Sequence, residues 1–447
     1  MHTVILGAGV CGLTAAYGLS QISGETYSIY EQQARSGGYC QSPRQGGFTF
    51  DIVSHVLHFR SDEAKELVHK LLDGDLLYCK RSAWIYFRNR YIPHPFQINL
   101  GFLPLPERAA CLAGYWRAWL NRKLDAASPP ENLQEWIQFY LGAGIARHFM
   151  TPYNTKLWGC PPEEMSVDWM RPFVPEAPGW DMVASLVSNR VSHVGRSRFF
   201  YYPTHGGIQT LVDSLEARIA PAHLNHQVMG INLDRKTVRF QNGREVSYDR
   251  LISTIPLKTL ARQAVGLPEE LRRDAEQLRC TSLLSLTYCI SRPLPHSIHW
   301  LYFPEPEYPF FRIVFPSNHC SSLAPKNSSI ISVEISEPDA NRLDELDQAT
   351  QQHLIQLGFI QGVADIQFRE RYYFDHAYPV HDLGREARVS RLNHFLQSRD
   401  VWSIGRFGGW RYSIIEDAMV EALQAAREAA ESVAARRLTR AAGAGAS

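Results

Sequence analysis

The sequence predicts an α/β protein: a Rossmann-type dinucleotide-binding domain with an inserted substrate domain of mixed helix and sheet. Three observations predict it. A short β-branched run at the start leads into Gly7-Ala8-Gly9-Val10-Cys11-Gly12, and an Ala- and Leu-rich run follows. A second succession of strand, glycine turn and helix stands near the far end, between Val401 and Val433. The stretch between them is rich in aromatic residues and follows neither pattern. At 447 residues the chain has room for two or three compact units, or for one nucleotide domain with a large insert.

Taken in order, Thr3–Leu6 reads as a buried parallel strand. Gly7 makes a tight turn, Gly9 lets the backbone approach a pyrophosphate, and Gly12 lets helix and strand pack closely. The helix Leu13–Leu19 follows, and its start offers free N–H groups to phosphate oxygens. A second strand, Tyr27–Tyr30, ends at Glu31, 24 positions past Gly7. An acid there can accept from a pair of ribose hydroxyls. Strand, turn, helix and acid together specify a dinucleotide site far better than GxGxxG alone. Arg35-Ser36-Gly37-Gly38 comes next and resembles the extended signature of flavin-binding oxidases. Gly38 and its neighbour permit a turn close to the cofactor, and Arg35 can reach a phosphate. This favours FAD over NAD.

Near the far end, Val401–Ile404 reads as a strand and Gly405-Arg406-Phe407-Gly408-Gly409 as a glycine-rich turn. Glu416–Val433 is an amphipathic, Ala-rich helix, so backbone N–H groups again face an anion. Gly206-Gly207 opens another helix, and Leu251–Thr254 looks like a strand returning to the same sheet. The cofactor domain is therefore expected from residues 1–80, 200–270 and 370–437, and the substrate domain from 81–199 and 271–369. Residues 438–447, ending AAGAGAS, are expected to be a disordered tail.

Most aromatics of the middle stretch, such as Trp84, Tyr115 and Trp136, fit a core. Two segments with polar neighbours say more. Pro93 and Pro95 bracket His94 and fix an extended loop. Thr151–Trp158 (TPYNTKLW) reads in a similar way. Each suits a rigid pocket wall or, equally, a structural loop.

Composition excludes several classes. Hydrophobic residues make up 45% and charged residues 20%, ordinary for a globular protein. Lys and Arg total 46 against 45 acids, so no global basic field exists to hold nucleic acid or an acidic membrane. Only eight of the 46 basic residues are Lys; Arg forks suit phosphate, though such a bias also follows from genome base composition. The eight cysteines form no CxxC pair, so neither a zinc nor a thiol-redox site is expected, and reduced cysteines are. The first motif begins at Gly7, so no signal peptide is expected. No apolar run is long enough for a membrane span; the best, Cys111–Leu120, carries Arg117. A cytoplasmic protein is the expectation.

Several longer strings carry a family likeness. Phe50-Asp51 through Ser54-His55-Val56, then PFQINL (Pro95–Leu100), FMTPYNTKLW (Phe149–Trp158) and EEMSVDW (Glu163–Trp169) resemble UDP-galactopyranose mutases, above all the eukaryotic-type branch. FFRIVFPSN (Phe310–Asn318), FDHAYP (Phe374–Pro379) and GRFGGWRY (Gly405–Tyr412) continue the likeness in the same order over nearly the whole chain. Protoporphyrinogen oxidases and amine oxidases of the wider superfamily share the FAD halves only. The resemblance implies reduced FAD, whose N5 serves as nucleophile toward the anomeric carbon of a nucleotide sugar. The diphosphate leaves, the sugar recloses with the other ring size, and there is no net redox change.

It also implies residue roles. Arg312 matches the arginine that holds the diphosphate; between Phe311 and Ile313, an unpaired charge would be costly. Tyr378 and Tyr412 match tyrosines contacting the diphosphate, and His55 the histidine of the loop beside the flavin. Gln97 matches a glutamine of the nucleobase pocket, Arg406 follows Gly405 at the flavin edge, and His94, Asn154 and Trp158 fall in substrate-binding strings. There are departures. Val53-Ser54 stands for two glycines, which predicts a stiffer loop. His94 and His319 stand for tyrosines, Phe173 for an arginine, Ser197 for an asparagine, and Glu416-Asp417 falls in the region of an Asn-Gln-Asp-His-like string. These changes gather on base, diphosphate and sugar contacts, while the flavin contacts look retained.

Two readings follow. One is a flavin-dependent mutase acting on a nucleotide sugar, not necessarily UDP-galactose. The other is an FAD-dependent oxidoreductase of the amine oxidase or protoporphyrinogen oxidase type, for which a diphosphate clamp would have no purpose. With no nicotinamide domain evident, reducing equivalents would come from an external donor or from a nicotinamide delivering hydride directly. A homo-oligomer stays open.

Overall fold

A computed structural model describes residues 1–124, 128–170 and 198–444 of the chain, with side chains to residue 431. Its organising layer is a four-stranded parallel sheet in the order Val401–Ser403, Arg250–Ser253, His2–Leu6, Thr26–Tyr30. Strands from both chain ends and from the middle thus share one sheet. Alternation sends Ile5 to one face and Val4 and Leu6 to the other. The Ile5 face is covered by helix Val10–Ser20, with the C-terminal helix behind it. Those two helices approach so closely that a Cβ on Gly18 would lie 2.9 Å from the Ala426 Cβ. Burial on both faces accounts for the apolar runs at the strand centres, Val4–Leu6 and Leu251–Ile252.

The second layer is a seven-stranded sheet, mostly antiparallel. Its order is Ile366–Phe374, Leu283–Ile290, Ser329–Ser336, Arg312–Val314, Trp300–Tyr302, Ala83–Phe87, Arg90–Pro93. Every residue of Leu283–Ile290 is buried. Against this sheet lie helices Leu105–Lys123, Leu133–Ile145 and Thr151–Trp158. Together they form the mixed helix-and-sheet part, whose core differs from that of the parallel sheet.

Four local expectations change. Strand Ile366–Phe374 lies wholly in the larger sheet, so a boundary at residue 370 falls inside it. The tail expected to be disordered from 438 continues as helix to Ala444, consistent with its run of strong helix formers; 445–447 lie outside the described residues. The glycine turn at Gly405 is a short helix, Gly405–Gly408. Thr151–Trp158 is a helix rather than an extended loop, because Pro152 falls in the first turn, where its missing N–H costs nothing.

Candidate active site

The cradle at the head of the parallel sheet is built from glycines. Gly7 has φ +96°, and a Cβ on Gly12 would sit 1.9 Å from the Gly7 carbonyl oxygen. Gly9 precedes helix Val10–Ser20 with no side-chain cap, so the first-turn N–H groups are left for an anion. Gly37 N–H donates to the Ala8 carbonyl at 2.8 Å, and Gly38 lies close to Gly9, where a Cβ on Gly9 would come within 3.9 Å of the Gly38 Cα. The Ser36 hydroxyl is buried there without a partner. Glu31 is buried at the end of the second strand; one oxygen accepts from Ala8 N–H at 2.8 Å and the other from Gln33 N–H at 2.9 Å. A carboxylate keeps further lone pairs for a ribose. Arg35 is exposed. Gly405, with φ +80°, closes the cradle against Cys11. These residues fit a dinucleotide cofactor.

Beyond the cradle the two layers meet in an aromatic cluster around two guanidinium groups. Arg312 starts a short strand paired to Tyr302 on one side and Glu334 on the other. Its Nε donates to Glu334 Oε2 at 2.9 Å, and Nη2 donates to the same oxygen. Glu334 is fully buried. Burial opposes the Arg312 charge, but the Glu334 carboxylate and then Tyr378, Tyr302 and Tyr153 hold its pKa well above the ordinary value. Tyr378 stacks on Tyr412 with centroids 6.2 Å apart, and Trp158 meets both rings edge-on at 5.9 and 5.6 Å.

Arg406 projects from the glycine turn over Tyr378 and Tyr412, 5.6 Å from each centroid. Its guanidinium donates to the Ser413 and Ala377 carbonyls, and among the described residues no carboxylate pairs with it. Arg312, Glu334 and Arg406 therefore leave the cluster one positive charge in excess. His55 lies within range of both arginines; burial first, then Arg406, drives its pKa down to about 3, so the ring is neutral. Its Nδ1 is 3.0 Å from the Val53 carbonyl. Burial holds the Tyr378 phenol protonated, a donor to an anion.

Other expected residues are placed as follows. His94 packs on Tyr302 at 5.1 Å and precedes a cis bond to Pro95. Gln97 is buried in the turn Phe96–Ile98, whose Phe96 stacks on Phe149 and, through it, on Tyr153. Asn154 Nδ2 donates to Met150 O at 2.7 Å, and its Oδ1 accepts from the Trp158 indole at 3.3 Å. Its carboxamide is thus committed within its own helix, and it sets the indole that walls the cluster. His319 is enclosed by Phe200, Tyr202, His299 and Trp300. Glu416 turns to the backbone N–H groups of Arg60 and Ser61. Phe173 and Ser197 lie outside the described residues.

Sequence reasoning missed Glu334, Tyr153, Tyr302, Lys156 and His381 as contributors. Glu334 had a signal: it is the single acid in an otherwise apolar and small-polar strand, SIISVEIS. Lys156 Nζ is held by the carbonyls of Phe303, Glu305, Tyr308 and Phe310 at 2.9, 2.5, 3.0 and 3.4 Å. That clamps the loop whose ends carry Tyr302 and Arg312. His381 was quoted in no string; it receives the Tyr412 N–H.

The model for flavin-containing amine oxidoreductases matches residues 10–381. The chain belongs to that family. FAD is its cofactor, and the glycine cradle, Glu31 and the Gly405 turn are the residues that fit it. A crystal structure of reduced UDP-galactopyranose mutase superposes with a TM-score of 0.87 at 28% identity, covering 95% of this chain and 94% of that one. A provisionally assigned protoporphyrinogen oxidase from Exiguobacterium sp. 255-15 superposes at 0.75 and 17% identity over 96% and 98% of the chains, a likeness of fold alone. Among curated proteins, coproporphyrinogen III oxidases of Mycobacterium bovis and Mycobacterium tuberculosis are 25% identical over 61% of this chain. The match spans 63% of their length. This amine oxidoreductase-family fold thus occurs in a mutase as well as in oxidases. Among the described residues no helix is long and apolar enough to cross a membrane, and no cluster of His, Cys, Asp and Glu could hold a metal.

Proposed function

We propose that this flavoenzyme is a mutase interconverting the pyranose and furanose forms of a nucleotide sugar, with reduced FAD as its working form. Reduced FAD, when bound, supplies a nucleophilic N5 toward the anomeric carbon. The chain's own part is to hold the diphosphate as it departs and returns. The observation that carries the reading is the placing of Arg312 among Tyr153, Tyr302 and Tyr378, with Tyr412 and Arg406 stacked behind. A guanidinium has five donors, and Glu334 takes two from one edge. The remaining edge can serve phosphate oxygens, with protonated tyrosines beside it. Arg406 adds an uncompensated cation on the cofactor side. A cationic, donor-rich cavity repels an ammonium substrate and suits a dianion.

His55, neutral beside both arginines and with Nδ1 facing the Val53 carbonyl, can accept a hydrogen bond from a sugar hydroxyl at Nε2 without adding charge. Of the departures, Val53 and His94 border this cluster, Val53 through His55 and His94 through Tyr302, so the sugar and base need not be galactose and uracil. The second reading, an FAD-dependent oxidoreductase, draws support from the coproporphyrinogen oxidase relatives. The deciding experiment mixes chemically reduced enzyme with a panel of nucleotide sugars and follows ring-size isomers by NMR. A parallel assay measures oxygen uptake with amines and coproporphyrinogen III. Ring isomers without oxygen uptake are expected. Oxygen uptake with no ring isomer from any nucleotide sugar would sink the mutase reading.

A further inference from the structure

Lys156 stands on helix Thr151–Trp158 and reaches across to the loop 303–311, which joins strands Trp300–Tyr302 and Arg312–Val314. Four carbonyls of that loop, from Phe303, Glu305, Tyr308 and Phe310, turn toward its Nζ. Pro306 and Pro309 bring no N–H to the loop, which removes two donors that a turn would aim at such carbonyls. Four carbonyl dipoles aimed at one point repel one another unless a cation stands there. An ammonium fits: it is compact, fully charged and has three rotatable donors. The flat fork of an arginine does not match oxygens gathered around a point. Burial lowers the Lys156 pKa to about 8, against the pull of Glu307 and then Glu305 on the same loop.

We propose that Lys156 is a positioning residue: its ammonium occupies a monovalent-cation cage of loop carbonyls and thereby sets the separation of two walls of the diphosphate cavity. The proposal rests on the mutase reading of that cavity. One wall is the helix, where Tyr153 lies three residues before Lys156 and Trp158 two residues after it. The other is the strand pair that the loop joins, with Tyr302 and Arg312 in register. The walls also meet through aromatic edges, Tyr153 with Tyr302 at 5.7 Å and with Phe311 at 6.5 Å. Edge contacts between rings tolerate sliding, whereas N–H bonds to carbonyls have a direction and a length. A second tether, the Ser336 hydroxyl donating to the Leu157 carbonyl at 2.8 Å, holds the helix to strand Ser329–Ser336 without reaching the loop.

The test compares the flavin-loaded wild type with K156A and S336A, by hydrogen exchange across the loop 303–311 and by calorimetry with UDP. K156A is expected to exchange faster in the loop and to bind UDP about tenfold more weakly, the scale of a binding group misplaced rather than lost. Methylammonium, which can enter the emptied cage and donate N–H bonds, is expected to restore both. Tetramethylammonium, with the same charge and no N–H, is expected to restore neither. S336A, which loosens the helix alone, is expected to leave the loop exchange unchanged. Wild-type UDP affinity should fall as pH rises past about 8, where the ammonium gives up its proton, and K156A should lose that limb. Wild-type loop exchange and UDP affinity in K156A overturn the proposal. So does a loss that the two ammonium ions affect alike, or a loop that opens equally in S336A. If K156A does not fold, a wild-type UDP affinity that stays level from about pH 7 to about pH 9.5 overturns it. A wild type that binds no UDP at any pH removes the diphosphate reading instead, and the loop exchange with its rescue still decides Lys156.

Discussion

Glu334 holds Arg312 through a single carboxylate oxygen. Oε2 takes both Nε and Nη2, while Oε1 is buried without a partner. The pair fixes the guanidinium plane and points its other edge away from the strand. Arg312→Ala should therefore do two separable things. It strands a buried carboxylate, on the order of 3–5 kcal/mol of unfolding free energy. It also removes a charge-assisted donor to the diphosphate, roughly 1.5–3 kcal/mol, or about ten- to hundredfold in UDP affinity. The double variant R312M/E334L should regain most of the stability and none of the affinity. Denaturant titration and calorimetry with UDP read the two effects independently; unchanged UDP affinity in R312A would remove the clamp.

Gly9→Asp tests the cofactor cradle. The carboxylate would stand at the mouth of an uncapped helix, where the pyrophosphate is expected, and would meet it charge against charge. The purified variant should be colourless while the wild type is yellow. Flavin retained at full stoichiometry in G9D would move the site elsewhere.

The cradle was legible because its chemistry is local. Gly7, Gly9, Gly12 and Glu31 lie within one βαβ unit, and backbone geometry alone requires glycine at Gly7 and Gly12. Arg312 was legible as a charge in an apolar run. Its partner Glu334 comes from the neighbouring strand, and that adjacency is set by sheet register, which a linear sequence does not show. Lys156 was missed for a related reason: its acceptors are backbone carbonyls of a distant loop, and a carbonyl has no sequence signature. The helix at Thr151–Trp158 was masked by Pro152, a breaker in a helix interior but harmless in a first turn.

His381 Nε2 accepts the Tyr412 backbone N–H at 2.9 Å, which fixes the turn bearing one of the two stacked tyrosines. An accepting Nε2 means a neutral ring with its proton on Nδ1. Burial first, then Arg385, supports that state by driving the pKa down to about 4 against the pull of Asp168 and Asp382. His381→Leu removes this acceptor and should weaken UDP binding about five- to tenfold, the worth of one neutral hydrogen bond. His381→Gln, which can accept through its amide oxygen, should recover part of the loss. Flavin content should not change in either variant. Full UDP affinity in H381L would leave His381 a packing residue.

Acid stability offers the last test. Burial depresses the imidazoles of His55 and His319 to about 3, and those of His58, His299 and His381 to about 4. Unfolded, each would titrate near 6.5. Below that pH the unfolded chain binds protons that the fold refuses, so stability is complete above about pH 6.5 and falls as pH drops toward the folded values. Asp51 works the other way: burial raises it to about 6, so it gains relative stability between 6 and the ordinary 3.8. Burial also raises Glu305 and Glu421, but it lowers six further imidazoles, so the balance is a net loss. His319 is the cleanest probe, because both ring nitrogens are buried without partners. His319→Phe should remove one proton from the linkage, lowering the slope of unfolding free energy below pH 6 by on the order of 1.4 kcal/mol per pH unit. Urea melts of both proteins at pH 7 and pH 5 measure it; parallel pH dependences would mean that His319 titrates normally in the fold.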